Sequence, residues 1–331
     1  MKAIIPVAGA GTKLRPLTYT QPKPLIPVAG KPIISFIIDQ LSAVGVTEYI
    51  FIIGYLGEKI QNYVDATYPH LHKEYVLQES REGSGHAIWV ARSLFKSEDE
   101  VIIFFGDTII DIDFEQMVKA SDSYLGISPV EQPWEYGVAE IDEAGLATKL
   151  IEKPRIPKSN MALVGFYKIK EVSLLIEALE HNVGQGIQTN EEYPLTDALM
   201  YMVSKGAQLK TLQVDNWFNC GKYEVLLKTN ALLLDREGYA SHNLPNFDNS
   251  IIINPVSIGK DCKIVNSIIG PHVTIRGNAQ IESSIIRDSI IGNYAAIHEA
   301  VLMNSIIGND TSIKGFRQSL NIGDNTEIDF S

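Results

Sequence analysis

Three segments near the start of the 331-residue chain decide the fold: KAIIPV at residues 2–7, PIISFIIDQLSAVG at 32–45 and EYIFIIG at 48–54. The first and third are short, nearly continuous apolar runs, a pattern that predicts strands buried on both faces. The second has the length of a helix, with Pro32 at its first position and Gly45 just past its end. Together these segments predict a strand, helix, strand unit whose strands run in parallel.

The same alternation continues through the four segments that follow: GEKIQNYVDATY (57–68), KEYVLQ (73–78), SGHAIWVARSLF (84–95) and EVIIFFGD (100–107). Further strand and helix patterns extend to about residue 240. They predict an α/β domain over residues 1–240, with a Rossmann-like, mostly parallel sheet and helices on both faces. Ligands bind outside the carboxyl ends of such strands, so the loop at residues 8–18 should lie near Gly106 and Asp107.

From residue 250 the pattern changes. The tetrapeptide SIIG recurs at residues 267–270, 289–292 and 305–308. Apolar residues repeat about every five or six positions from Ile258 onward, ending with Ile322 and Ile328. This period predicts short strands that turn corners in a parallel β-helix of four or five coils over residues 241–331. An antiparallel β-sandwich, with strands spaced 8 to 12 residues apart, is the less favoured alternative.

The charge of the chain is negative and unevenly placed. Lys and Arg number 28 against 40 Asp and Glu, a formal net charge of −12. Neither the nucleic-acid backbone nor an anionic membrane is an expected partner of such a chain, because like charges repel. The first 38 residues nevertheless contain no acid, and they hold the cations Lys2, Lys13, Arg15, Lys23 and Lys31. This segment predicts a site for a small anion, with Lys2 and Lys31 expected to be solvated.

Cysteine usage and hydropathy limit the cellular compartments in which the protein is expected. Cys220 and Cys262 are too few and too far apart for a disulfide framework or a four-ligand zinc site, which favours a reducing compartment, the cytoplasm. The apolar start of the chain contains Pro6 and runs directly into the charged stretch GTKLRP. No later segment has the length of a membrane span, so no membrane association is expected.

The stretch PVAGAGTKLRPLTYTQPKPLIPVAGKP, residues 6–32, carries the strongest site pattern. Gly9 and Gly11 follow a buried strand, where backbone N–H groups can approach a polyphosphate. The stretch is not a dinucleotide fingerprint, because Leu14 stands where G-x-G-x-x-G requires glycine, and it lacks the G-K-[ST] of a P-loop. A tight turn alone would also explain the glycines, but the acid-free cations around them favour anion binding.

The matches GAGTKLRPLT and PKPLIPVAGKPI resemble the opening of sugar-1-phosphate nucleotidylyltransferases, some of which carry a left-handed β-helix tail. The resemblance covers nearly the whole chain. It implies an enzyme that joins dTTP or UTP to a sugar-1-phosphate, with glucose-1-phosphate thymidylyltransferase favoured, and that releases pyrophosphate. Lys13 replaces the usual arginine of this family; it keeps the charge but loses the planar fork that binds two phosphate oxygens, so weaker pyrophosphate binding is expected.

Site residues follow from the same resemblance. Contacts to the nucleotide are implied for Ala8, Gly9, Gly11, Thr12, Gln78 and Gly83, of which Gln78 and the Gly83 backbone would read a pyrimidine. Contacts to the sugar are implied for Tyr136, Gly137, Glu152, Val164 and Glu192. Catalytic roles are implied for Lys13, Lys23, Asp107 and Lys153. Asp107 would also bind Mg²⁺ together with Asn219, which replaces the family's second aspartate and is a weaker ligand.

Two other functions stay open. A non-catalytic regulatory subunit that binds a nucleotide sugar would explain the departures at Lys13 and Asn219. An acyltransferase is the less favoured alternative, because β-helices often carry one and His272 and His298 lie in the coils, where they are expected to be solvated corner residues. The tail is expected to form a homo-oligomer, since an open β-helix end must be capped or paired.

Overall fold

The computed structural model of the chain describes residues 1–96 and 99–315. The chain divides into two units: the first comprises Met1–Pro27 and Lys31–Leu226, and the second comprises Val28–Gly30 with the chain from Leu227 onward. The assignment of residues 1–240 and 241–331 to two domains stays a prediction. Among the described residues, no helix combines the length and the hydropathy needed to cross a bilayer.

The first unit contains, wholly or in part, thirteen strands among the described residues. They are β1 (Lys2–Pro6), β2 (Pro27–Val28), β3 (Lys31–Pro32), β4 (Glu48–Ile53), β5 (His72–Leu77), β6 (Val101–Phe104), β7 (Thr108–Asp111), β8 (Ser123–Pro129), β9 (Gly137–Ile141), β10 (Ala147–Glu152), β11 (Met161–Ile169), β12 (Leu209–Gln213) and β13 (Asn216–Asn219). The helices are α1 (Ile33–Ala43), α2 (Gly57–Thr67), α3 (Ser84–Val90), α4 (Phe114–Lys119), α5 (Val172–Gly184), α6 (Leu195–Ser204) and α7 (Tyr223–Leu234). Single 3₁₀ turns lie at Thr12–Leu14, Leu17–Tyr19, Lys23–Leu25, Arg92–Leu94 and Pro133–Glu135.

The main sheet has the order β10-β9-β11-β6-β1-β4-β5, with β8 paired to β11 and β12 paired to β8. Strands β6, β1, β4 and β5 are parallel, as is the β8–β12 pair. Strand β11 is antiparallel to β6, β8 and β9, and β9 is antiparallel to β10, so the sheet is mixed. The predicted fold class is confirmed, with the antiparallel strands as an addition.

Both faces of this sheet are covered by helices. On β1, Ile4 packs in a cluster with residues of α3, α5 and α6, whereas Ala3 and Ile5 pack in a second cluster with residues of α1, α2 and α4. Successive side chains of a strand point to opposite faces, so a strand covered on both sides must be apolar at every position. Strand β5 is the exception, because it pairs only with β4 at the sheet edge and its Leu77 is 56% exposed.

The second unit forms a parallel β-helix. Its strands are β14 (Ile251–Ile252), β15 (Val256–Ile258), β16 (Lys263–Val265), β17 (Ile268–Ile269), β18 (Val273–Ile275), β19 (Gln280–Glu282), β20 (Ile285–Arg287), β21 (Ile290–Ile291), β22 (Ala296–His298), β23 (Val301–Met303), β24 (Ile306–Ile307) and β25 (Ser312–Lys314). They stack as three four-stranded parallel sheets, each coil advancing 17 or 16 residues. This arrangement agrees with the predicted left-handed β-helix. The repeat positions Ile322 and Ile328 lie outside the described residues.

The two histidines of the coils are not simply solvated. His272 does lie at a corner, with φ of 56°, but its two ring nitrogens lie 3.1 Å from Asp288 Oδ1 and 3.2 Å from Asp235 Oδ1. His298 lies in β22 rather than at a corner, and its Nδ1 lies 3.2 Å from Glu282 Oε2. Neighbouring carboxylates therefore hold both rings in place, which the apolar period of the sequence could not indicate.

Candidate active site

Two cavities in the first unit meet at Asp107. The larger has a volume of about 580 Å³ and is lined by the loop after β1, the Gln78–Ser84 region and the Phe105–Asp107 loop after β6. The smaller, of about 140 Å³, is lined by residues of β9, β10, β11 and β13. Ser84, Phe105 and Asp107 line both cavities. The carboxyl ends of β1 and β6 thus converge on one crevice, as expected for parallel strands.

The loop after β1 presents its backbone to the larger cavity. Ala8, Gly9, Gly11 and Thr12 all line it. A side chain on Gly9 would meet no atom within 4 Å, so this backbone faces open space, and Gly11 adopts a left-handed conformation with φ of 61°. The Thr18 hydroxyl donates to the Gly11 carbonyl at 2.8 Å and fixes the turn. Such a loop can approach a ligand closely, because no Cβ stands in the way.

Lys23 and Asp107 form an ion pair at the junction of the cavities. Lys23 Nζ lies 2.5 Å from Asp107 Oδ2, and the two side chains are 14% and 35% exposed. Burial of Asp107 opposes its ionisation, but the charge and hydrogen bond of Lys23, together with the Thr108 hydroxyl, lower the pKa of the carboxyl below its usual range. Asp107 is therefore an anion at neutral pH, available to a cation.

The residues around Asp107 fit a hard divalent cation. Asn219 pairs with Thr108 across the β7–β13 ladder, and the Cys220 N–H donates to the Asp107 carbonyl at 2.9 Å, so the chain brings Asn219 beside Asp107. A Cβ on Gly221 would lie 3.0 Å from Asn219 Oδ1 and 3.3 Å from Lys23 Nζ, which places the amide oxygen near the ammonium group. Carboxylate and amide oxygens are ligands that Mg²⁺ accepts, and the Lys23 ammonium marks a position that favours positive charge.

The described part of the chain adds no cluster of carboxylate, imidazole or thiol ligands to this pair. Within residues 1–96 and 99–315, no group of three or more His, Cys, Asp or Glu side chains is arranged to hold a metal. A cation here would need oxygens from substrate and water to complete its shell. Mg²⁺ is commonly held in that way, by one or two protein oxygens together with phosphates.

Gln78 and Gly83 form one wall of the larger cavity. Gln78 is 5% exposed, and its Nε2 lies 3.2 Å from the Gly83 carbonyl and 3.1 Å from His86 Nδ1. Gly83 is held at φ of 103°, where a side chain would clash with the Tyr193 backbone at 2.7 Å. With its amide nitrogen engaged, Gln78 can offer Oε1 as an acceptor, next to the backbone of Gly83.

The smaller cavity contains a bonded pair of polar side chains. Glu152 Oε2 accepts a hydrogen bond of 2.7 Å from the Thr196 hydroxyl. A side chain on Gly137 would lie 2.7 Å from that hydroxyl oxygen and 3.0 Å from Glu152 Oε2, so only glycine leaves the bond intact. Tyr136, Gly137, Glu152 and Val164 all line this cavity.

An indole ring forms part of the wall of the smaller cavity. Trp217 lines it and packs edge-on against Tyr136, with ring centroids 5.1 Å apart. Its Nε1 is buried and has no hydrogen-bond partner in the described residues. A buried donor without a partner costs about 1–3 kcal/mol, and a ligand acceptor that reached this N–H would recover that cost.

Comparison with known proteins fits this geometry. The sequence matches the nucleotidyl transferase family model over residues 2–236. The chain belongs to the nucleotidyl transferase family. The predicted resemblance and the predicted class of enzyme are thereby confirmed, and members of this family generally use a divalent metal ion.

Three relatives illustrate the likeness. The chain is 28% identical to the low-salt glycan biosynthesis nucleotidyltransferase Agl11 of Haloferax volcanii, over 90% of this chain and 89% of that protein. It is also 28% identical to the glucose-1-phosphate thymidylyltransferase of Streptomyces griseus, over 90% and 88% of the two chains. A UDP-glucose pyrophosphorylase solved with UDP-glucose superposes with a TM-score of 0.62 at 25% identity, covering 71% of this chain and 99% of that chain.

Three of the predicted catalytic and sugar-binding residues of this nucleotidyltransferase lie outside the smaller cavity and its junction with the larger one. Lys13 is exposed on the Thr12–Leu14 turn, and Lys153 is half-exposed, with Nζ 3.6 Å from Glu152 Oε1; neither lines the two cavities. Glu192, expected at the sugar, instead lines the larger cavity. It closes a tight turn from Thr189, in which Asn190 and Glu191 have φ of 53° and 63°.

Other residues of the nucleotidyltransferase site were missed by the sequence reasoning. Arg81 lines the larger cavity, and Glu135 lines the smaller one. Both oxygens of Glu135 contact Lys222 Nζ, at 2.8 and 3.1 Å. The sequence contains two signals for these residues. Arg81 is the cation inside QESREG, and Lys222 directly follows the glycine of WFNCGK. Pairing of Glu135 with Lys222 joins residues 87 positions apart, and the sequence gives no local sign of it.

Proposed function

We propose that this nucleotidyltransferase transfers a nucleotidyl group from dTTP or UTP to a sugar-1-phosphate, with thymidylyl transfer to glucose-1-phosphate favoured. The observation that carries the proposal is the junction of two cavities at Asp107, with Lys23 bound to its carboxylate. The larger cavity has room for a nucleoside triphosphate, and the smaller for a sugar. Two relatives named glucose-1-phosphate thymidylyltransferase, each 28% identical to the chain, favour this pair of substrates.

The reaction is a displacement at phosphorus. An oxygen of the sugar phosphate forms a bond to the α-phosphorus, the bond from that phosphorus to the oxygen bridging to the β-phosphorus breaks, and pyrophosphate leaves with the electron pair. The attacking phosphate is already an anion at neutral pH, so no general base is required. Holding two unit negative charges 4 Å apart costs about 4 kcal/mol at an effective dielectric constant of 20. Lys23 at the junction would offset this repulsion, with Lys13 and Lys153 as the further cations that the family resemblance assigns.

Magnesium is the divalent ion that we propose for this site. Asp107 and Asn219 would hold it, and it would supply positive charge between the reacting phosphates. Because Asn219 is an amide, the protein contributes one negative charge rather than two, so binding of the ion would depend more strongly on the substrate phosphates.

Recognition of the two substrates divides between the cavities. Gln78 Oε1 would accept the N3–H of a pyrimidine, and the Gly83 N–H would donate to a ring carbonyl oxygen. The buried Trp217 N–H and the Glu152 carboxylate would bond sugar hydroxyls. A base with its donors and acceptors in other positions would leave buried groups unpaired, which is the strongest form of discrimination available to such a site.

The remaining proposals concern the domains, the compartment and the oligomerisation of the enzyme. We assign nucleotidyl transfer to residues 1–240 and the β-helix to residues 241–331. Neither Cys220 nor Cys262 is in a disulfide, which supports a reducing compartment such as the cytoplasm. The β-helix is proposed to join copies of the chain.

The decisive experiment is a matrix of dTTP and UTP against several sugar-1-phosphates with Mg²⁺, read by pyrophosphate release. We expect turnover with at least one pyrimidine nucleotide and glucose-1-phosphate, and a loss of turnover in the Asp107→Asn variant. A thymine methyl that is fitted by the pocket would favour dTTP over UTP by about 10- to 200-fold. Nucleotide-sugar binding without turnover for any pair would instead support a regulatory subunit. Acetyl-CoA consumption with an amino-sugar phosphate would support the acyltransferase alternative.

A further inference from the structure

The orientation of the Gln78 side chain decides which base the larger cavity would read, because this side chain lines the cavity. A primary amide has an oxygen that accepts and a nitrogen that donates, and its two ends have nearly the same shape. With Oε1 toward the cavity, Gln78 would accept the N3–H of uracil or thymine. With Nε2 toward the cavity, it would instead donate to the bare N3 of cytosine. A selective pocket therefore requires that the amide be held in one of its two orientations.

The Gly83 carbonyl sets the first constraint on this amide. Gln78 Nε2 lies 3.2 Å from the carbonyl oxygen. A carbonyl oxygen only accepts, so the end of the amide that faces it is the nitrogen. The opposite orientation would place Oε1 against the Gly83 oxygen, with two acceptors in contact and no proton between them.

His86 supplies the second constraint. Its Nδ1 lies 3.1 Å from the same Gln78 nitrogen, and the Gln78 and His86 residues are only 5% and 8% exposed. Because the amide nitrogen is a donor, Nδ1 is the acceptor of this bond, and the proton of the neutral ring is on Nε2. Both hydrogen bonds of the Gln78 side chain to described residues thus run from its nitrogen, which leaves Oε1 for a ligand.

The surroundings of the His86 ring favour the same tautomer. Its Nε2 lies 3.9 Å from Glu82 Oε2, and a carboxylate attracts the N–H end of an imidazole rather than its lone pair. The ring stacks on Trp89, with centroids 5.5 Å apart, and the Tyr193 ring lies 6.3 Å away. Aromatic neighbours restrict rotation of the ring, so Nδ1 stays on the side of Gln78.

Backbone hydrogen bonds hold the two residues in place. The N–H groups of Gly85 and His86 both donate to the Tyr193 carbonyl, at 2.8 and 3.2 Å, and the Gln78 N–H donates to the Ile53 carbonyl at 2.9 Å. A side chain on Gly85 would lie 2.8 Å from the Tyr193 oxygen, so this close approach at the start of α3 requires glycine. The position of His86 relative to Gln78 therefore depends on the backbone as well as on ring packing.

We infer that His86 is a positioning residue, which holds the Gln78 amide with Oε1 toward the cavity and so makes the site select uracil or thymine over cytosine. The inference rests on the proposed function, because it assumes that Gln78 reads the base. His86 lines neither cavity, so it acts through Gln78 and not by contact with a substrate. The Gly83 carbonyl favours the same orientation, so His86 contributes one of two hydrogen bonds to the selectivity.

The first test reads the ring directly, in the full chain without substrate. Nitrogen-15 NMR of the protein labelled at histidine distinguishes a ring nitrogen that carries a proton from one that does not. At about pH 8, where histidine is ordinarily neutral, we expect a bare Nδ1 and a protonated Nε2 for His86. Its signals are identified by their absence in His86→Phe. A proton on Nδ1 would overturn the inference.

The second test compares nucleotides that differ only at the base edge: UTP with CTP, or dTTP with its cytosine counterpart that carries the same methyl group. His86→Phe keeps a ring against Trp89 but has no acceptor. The preference in kcat/KM for uracil or thymine over cytosine should fall by about 2- to 12-fold, the worth of one hydrogen bond. The loss should appear in KM for the uracil or thymine nucleotide, with kcat unchanged, because the base is bound equally in the ground and transition states. His86→Asn should restore most of the preference, because its side-chain oxygen can accept in place of Nδ1.

Ile88→Val is the matched control, since Ile88 is buried in the same helix and lines neither cavity. It should keep the wild-type preference. The inference is overturned if His86→Phe keeps that preference, if His86→Asn loses as much as His86→Phe, or if Ile88→Val loses as much. A wild-type chain that releases pyrophosphate from no nucleotide would refute the proposed function instead. The preference is then measured as nucleotide binding by calorimetry, where equal binding of the two bases, or binding of neither, would overturn the inference.

Discussion

Replacing Lys23 with methionine tests the centre of the proposed mechanism. Lys23 Nζ lies 2.5 Å from Asp107 Oδ2 at the junction of the two cavities, and the side chain is only 14% exposed. Methionine keeps much of the buried stem and removes the charge. The substitution therefore removes one positive charge from the place where two anionic substrates must meet.

The size of the effect follows from the position of this charge. A unit charge 4 Å from a phosphate is worth about 4 kcal/mol at an effective dielectric constant of 20. Removal of one preorganised donor from other active sites costs about 2.7–4 kcal/mol, or 10²- to 10³-fold in kcat. We expect kcat/KM for pyrophosphate release to fall by the same factor in Lys23→Met. The loss should not be recovered at higher Mg²⁺, because a metal ion on Asp107 would not replace the positive charge that Lys23 would bring to the phosphates.

Lys31→Met is the matched control, since Lys31 comes from the same acid-free segment but pairs with Asp39 away from both cavities. We expect less than about a threefold change, the scale of an exposed ion pair. The idea that Lys23 compensates phosphate charge fails if Lys23→Met keeps more than about a tenth of kcat/KM, or if Lys31→Met loses as much.

The Lys23–Asp107 pair predicts that the stability of the folded protein depends on pH. The pKa of Asp107 is lowered in the folded protein, so its contribution is present above its ordinary pKa of about 3.9 and is lost as the pH falls through the folded-state value. Thermal unfolding should show Lys23→Met less stable than the wild type at pH 7, and the difference should shrink steadily below about pH 4. A difference that is independent of pH would mean that the lysine stem, rather than its charge, stabilises the fold.

Three further substitutions separate the roles of other residues. Asn219→Asp should lower the Mg²⁺ concentration that gives half-maximal activity by several-fold, because a carboxylate binds a hard cation better than an amide, and a metal titration of pyrophosphate release measures this. Trp217→Phe keeps an aromatic ring against Tyr136 but removes the unpaired N–H, so KM for the sugar phosphate should rise about 2- to 10-fold while KM for the nucleotide stays constant. Lys168→Met leaves three backbone carbonyls at the end of α4 without their buried donor, and calorimetry should show a loss of about 1–3 kcal/mol, against a smaller loss in Lys170→Met, whose exposed Nζ bonds one carbonyl.

The sequence best predicts the elements that belong to a long series of alternating apolar runs and helices. The alternation of apolar runs and helices up to residue 107 matches β1, α1, β4, α2, β5, α3 and β6 in order. Strands β7 and β13 carry no such signal, because they pair only with each other in a two-stranded ribbon. That ribbon nevertheless positions Asn219 beside Asp107, which only the family resemblance indicated.

The structure brings together those predicted site residues whose position is set by the local backbone. The glycines after β1 and the Asp107 that ends FGD lie at the carboxyl ends of strands, and local sequence fixes that placement. Glu192 could not be placed, because its position depends on a turn with two successive left-handed residues far along the chain. Lys2, expected to be solvated, is 18% exposed, because its ammonium donates to the Leu94 carbonyl.

The acid-free start of the chain predicts a basic pocket, and the larger cavity is instead balanced. The charged residues among those that line it are two cations, Lys23 and Arg81, and two anions, Asp107 and Glu192. A triphosphate carries several negative charges, so these side chains alone leave most of that charge uncompensated. We therefore expect a nucleoside triphosphate to bind tightly only together with a divalent ion, because Asp107 would then gain a second cation and Lys23 would be free to contact the phosphates. On this reasoning Asp107 would couple metal binding and nucleotide binding, and the coupling would be reciprocal, because each ligand must raise the affinity for the other by the same factor.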